Sequence, residues 1–74
     1  MDRVEEIKAR LLGDPETVKA LKALRLVRKM LGEAKVRGYI DDFVKARAVT
    51  QPEAAMLFGD VIRDLVLGEW PEGV

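Results

Sequence analysis

Apolar positions recur at intervals of three and four residues in four stretches of the chain, and each stretch is bounded by residues that start or stop helices. In the first, over about residues 2–12, Val4, Ile7 and Leu11 share one side, with Met1 and Leu12 at its edges. Gly13 stops this helix. Asp14 and Pro15 start the next, the aspartate as N-cap and the proline at the first helical position, where its missing N–H is no loss. The second helix, over about residues 15–31, places Ala20, Ala23, Leu24, Val27, Met30 and Leu31 within about 120° of arc, its expected core face.

Carrying the same wheel past Gly32 tests whether this helix continues. Eighteen residues make about five turns, so Val36 eclipses Val18, and the set Val36, Tyr39, Ile40, Phe43 and Val44 lies nearly opposite the first face. One straight helix cannot bury both faces in one monomer. The pattern therefore predicts a break near Gly32 and a third helix over about residues 33–47, weakened internally by Gly38. The alternative is one long helix shared in a dimer.

Thr50, Gln51, Pro52 and Glu53 fit a capping box and predict a fourth helix over about residues 51–67. It carries Ala54, Ala55, Leu57, Phe58, Val61, Ile62, Leu65 and Val66 on about half its circumference, which suits a central position. Gly68 ends it. No stretch alternates with period two and no repeat is present. The expected fold is all-α, a compact bundle of three to four short helices in a single domain over residues 1–74, with an irregular tail at 68–74.

Composition changes this picture in two ways. A 74-residue chain has a small core, and with neither cysteine nor histidine it lacks disulfides and the usual zinc ligands. Reinforcement is left to self-association or a partner. Ser and Asn are also absent while charged residues reach 35%, a balance that suggests a thermophilic source. No apolar run approaches the roughly 18 residues of a membrane span, and the start, Met1 to Glu6, is acidic rather than basic-then-apolar. A cytoplasmic protein is expected.

Catalytic chemistry finds little material. There is no Ser, Cys or His, and Thr17 and Thr50 stand where helices begin, so neither is expected to act as a nucleophile. Asp60 and Asp64 share a helix face with Arg63 between them and read as surface charge rather than a metal site; adjacent Asp41 and Asp42 point about 100° apart. The six glycines form no phosphate-binding spacing. No catalytic, cofactor or metal site is expected.

Charge is where the sequence is uneven. Residues 1–16 hold three basic and five acidic side chains, residues 17–37 hold seven and one, and residues 38–74 hold three and seven. The middle segment is thus net +6. Lys22, Arg25 and Lys29 fall within about 60° on the second helix with Lys19 and Arg28 at the flanks, and like charges so placed repel. Three compensators are open: acidic residues of the same chain, such as Asp60 and Asp64; an acidic protein or a second copy; or nucleic-acid phosphates.

Val18 and Leu26 sit among these basic positions, which suits a protein interface with an apolar centre and polar rim better than phosphate contacts. The leading expectation is a non-enzymatic interaction module or accessory subunit docking through Val18, Lys19, Lys22, Arg25, Leu26, Arg28, Lys29, Lys35, Arg37 and Trp70. Its rival is a nucleic-acid-binding accessory protein using the same cations. A helix-turn-helix reading is disfavoured because the outward residues of the fourth helix, including Glu53, Asp60 and Asp64, are net acidic. Trp70, the one tryptophan, is expected to fold back over the bundle end, or else to anchor a partner.

Overall fold

A computed structural model describes residues 2–47 and 52–74. Among the described residues the chain forms four helices and no strand: α1 (Arg3–Leu12), α2 (Pro15–Leu31), α3 (Glu33–Ala46) and α4 (Pro52–Leu67). The capping box over residues 50–53 and the turn at residues 48–50 lie outside this description, as does Met1.

Local chemistry explains the boundaries. Asp2 caps α1 by accepting a hydrogen bond from the Val4 amide at 3.2 Å. Asp14 stands at the N-cap of α2 but its side chain accepts instead from the Thr17 hydroxyl, at 2.6 Å. Thr17 is buried, so this bond satisfies a hydroxyl that would otherwise be stranded. At Gly32 the backbone adopts φ 92 and ψ 167, its amide bonded to the Arg28 carbonyl and its carbonyl accepting from the Val36 amide. An added Cβ would meet nothing within 4 Å, so the demand for glycine there is one of backbone conformation alone. The break predicted at Gly32 is present, and α2 and α3 are separate helices in this chain.

α2, α3 and α4 pack against one another, and α1 lies against α2 and α4. The thinnest dimension is 19 Å, about two helix diameters, so each helix keeps a solvent side. Among the described residues, seven apolar side chains form the buried core: Leu21 from α2, Val36 and Ile40 from α3, and Val61, Ile62, Leu65 and Val66 from α4. Four of the seven belong to α4, as its broad apolar face anticipates. From α1, Val4, Ile7, Leu11 and Leu12 cover this core without full burial.

Two expected core faces need correction. On α3, Tyr39 is 47% exposed while Val36 and Ile40 are fully buried. On α2 the error is larger. Met30 and Leu31 are 73% and 53% exposed and Ala23 is exposed, whereas Leu21, absent from the expected face, is fully buried. The inward line of α2 runs through Thr17, Leu21, Leu24 and Arg28, about a quarter turn from the apolar arc. Two of those four are polar, which hides the line from a count of apolar residues.

Candidate docking site

The inward side of α2 meets the far end of α4. A helix leaves its last carbonyls without intrahelical partners and concentrates partial negative charge there. Arg25 reaches across from α2: its Nη1 donates to the carbonyls of Leu65 at 2.7 Å, Gly68 at 2.6 Å and Val66 at 3.3 Å. Arg28 Nη1 donates to the Leu67 carbonyl at 2.8 Å. Two guanidinium groups thus close the C-terminus of α4.

Gly68 makes this geometry possible. Its amide bonds the Asp64 carbonyl at 2.8 Å, and a Cβ placed on it would stand 2.6 Å from that same oxygen. The tail then turns back. Trp70 is half-buried against the core cluster, its Nε1 donates to the Val74 carbonyl at 2.9 Å, and its ring centroid lies 5.7 Å from the Arg25 guanidinium. A cation at that distance from an indole is attracted by the ring's electron-rich face.

The basic stripe therefore divides. Arg25 and Arg28 are half-buried and turned to backbone carbonyls, and Arg37 lies 3.4 Å from Glu33 on its own helix. Lys19, Lys22, Lys29 and Lys35 are exposed and make no ion pair among the described residues. The expected carboxylate compensators are engaged elsewhere: Asp64 pairs with Lys8 of α1 at 3.6 Å, and Arg63 joins Asp60 at 2.8 Å and Asp41 of α3 at 3.9 Å. On α2, compensation among the described residues is supplied by helix-end carbonyls and reaches Arg25 and Arg28, while Arg37 on α3 is paired with Glu33.

Around the uncompensated lysines the surface is partly apolar. Leu26 is 57% exposed and Met30, one turn on, 73% exposed; Val18 is half-buried. Lys22, Arg25, Leu26, Lys29 and Trp70 together line a recess of about 360 Å³. Lys35 is not part of it: it borders a separate depression on α3 with Gly38, Tyr39, Asp41, Asp42 and Lys45. The structure brings Trp70, a tail residue, beside the α2 stripe, a juxtaposition no spacing along the chain announces. The one sequence signal for the division is residue type, since the half-buried cations are arginines and the free ones lysines; only arginine offers a planar fork matched to several acceptors.

No helix of the described residues is long and apolar enough to cross a membrane. Comparison with protein-family models, with curated proteins and with solved structures finds no match for this chain.

Proposed function

We propose that the protein is a non-catalytic docking module that binds a protein partner through the outward face of α2. The observation that carries this reading is Leu26. A large apolar side chain more than half exposed, with Lys22 and Lys29 a turn away on either side and Lys19 beyond, is the pattern of an interface centre with a charged rim. Met30 extends the apolar strip along the same face. Phosphate binding would use the same lysines, but it gives no role to exposed Leu26 and Met30.

The test is affinity capture from lysate of the source organism with the wild-type protein and with Leu26→Asp in parallel. The expected result is a protein retained in near-stoichiometric amount by the wild type and lost from the variant, with both equally helical by circular dichroism. Identical retention by both refutes the reading. Retention of nucleic acid that falls steeply between low and high salt, with no protein dependent on Leu26, favours phosphate recognition instead.

A further inference from the structure

The recess between α2 and the tail carries more information than the face as a whole, because its lining combines two chemistries. Leu26 and the Trp70 ring supply apolar surface, while Lys22, Arg25 and Lys29 supply positive charge, and no carboxylate lines it. The nearest acidic residues in sequence, Glu69 and Glu72, make no ion pair with these cations. Arg25 is held by carbonyls through Nη1 alone, so its Nε and Nη2 hydrogens donate to nothing among the described residues. The result is a concave apolar surface surrounded by unused donors of one sign.

Resting on the docking reading, we infer that this recess receives an acidic peptide segment, a bulky apolar side chain seated between Leu26 and Trp70 with flanking carboxylates on Lys22 and Lys29. Charge decides the occupant. A second copy seated by its own α2 would set lysines against lysines, whereas an acidic segment relieves the repulsion that Lys22, Arg25 and Lys29 exert on one another. Size agrees, since about 360 Å³ falls at the low end of ligand-binding pockets, roughly 300–1,000 Å³. So does reach. Lys22 and Lys29 are about 10 Å apart along the helix axis at ~1.5 Å per residue, the length of about three extended residues. In an extended peptide the residues two before and two after an apolar residue point to its own side and stand about 14 Å apart at ~3.4 Å per residue. Carboxylates there meet both lysines once the long glutamate and lysine side chains lean toward each other.

Trp70 is the sole tryptophan, so its emission reports occupancy of the recess directly. The probe is the capped pentapeptide Glu-Glu-Phe-Glu-Glu, compared with Glu-Glu-Ala-Glu-Glu, pentaglutamate and a ten-nucleotide oligothymidine at low salt. The expected result is a saturable shift of Trp70 emission by the phenylalanine peptide, with affinity at least about tenfold weaker for the alanine peptide, since one buried anchor carries much of such binding. The Lys22→Glu and Lys29→Glu double variant, both changes on exposed side chains, is expected to lose a similar factor at unchanged helicity.

An emission response absent up to about 1 mM, the weak end of specific affinities, overturns the inference. So does an equal response to the alanine peptide or pentaglutamate, which means charge alone, and so does tighter binding of oligothymidine. A concentration-dependent dimer abolished by Leu26→Asp, with no peptide binding, overturns it in favour of a second copy. Leu26-dependent capture of a protein without peptide response leaves the docking reading standing and rejects only this occupant.

Discussion

Replacing Arg25 with methionine keeps a long unbranched stem and removes the guanidinium, so it isolates what the closure of α4 contributes. Three carbonyls lose a charged donor at 2.6 to 3.3 Å. Hydrogen bonds to a charged group contribute about 1.5–3 kcal/mol each when well formed. These three share one nitrogen with two hydrogens, and the freed carbonyls, at a part-buried edge, regain water. The set is therefore worth about 1.5–2.5 kcal/mol rather than three times the single value. The cation at the helix C-terminus adds about 0.3–1 kcal/mol and the contact with Trp70 about 0.5 kcal/mol. The total is about 2–4 kcal/mol. For a chain of this length 1 kcal/mol displaces the melting midpoint by about 6 °C, which gives a fall of about 12–24 °C. Thermal and urea unfolding followed by circular dichroism measure it, with Lys22→Met as the control for removing an exposed charge from the same stripe. The control is expected to change stability by no more than about 0.5 kcal/mol. If Arg25→Met is as mild as Lys22→Met, the closure of α4 by Arg25 is without energetic consequence and the division of the stripe fails.

The corrected face of α2 predicts that Leu21→Ala costs about 3 kcal/mol in urea unfolding, while Leu31→Ala, at a side chain half in solvent, costs under about 1 kcal/mol; the reverse order would restore the apolar arc. Gly68→Ala puts a Cβ 2.6 Å from a backbone oxygen that cannot move without unwinding α4, so it is expected to cost about 1–3 kcal/mol, and a neutral result refutes that close approach. Trp70→Ala is expected to lower the midpoint by about 6–18 °C through lost burial and the lost Arg25 contact; unchanged stability with lost partner binding would make the tryptophan an anchor only. The absence of Ser, Asn, Cys and His predicts a melting midpoint above the ordinary mesophile range of about 45–65 °C, and scanning calorimetry placing it inside that range counts against a thermophilic origin.

Much of this molecule was legible in the chain because its helices are punctuated locally. Gly13, Asp14 and Pro15 act within one turn of themselves, and Gly32 adopts a conformation that other residues reach only under strain, so each boundary is written where it falls. The wide apolar face of α4 likewise announces its central place, because burying so much circumference requires neighbours on several sides. What a helical wheel cannot supply is which polar residues find acceptors on another element. Arg25 and Arg28 find theirs at the end of α4, forty residues later in sequence, whereas Thr17 bonds Asp14 at the N-cap of its own helix. With α2 so placed, Leu21 is buried and Met30 exposed, and the arginines bonded to α4 are separated from the free lysines of the same stripe. Residue types and their spacing marked out the helical segments, three to four of them, and the segment that carries the charge. Only the tertiary structure decided which of those charges are free, because an arginine's partner is set by where other helices end.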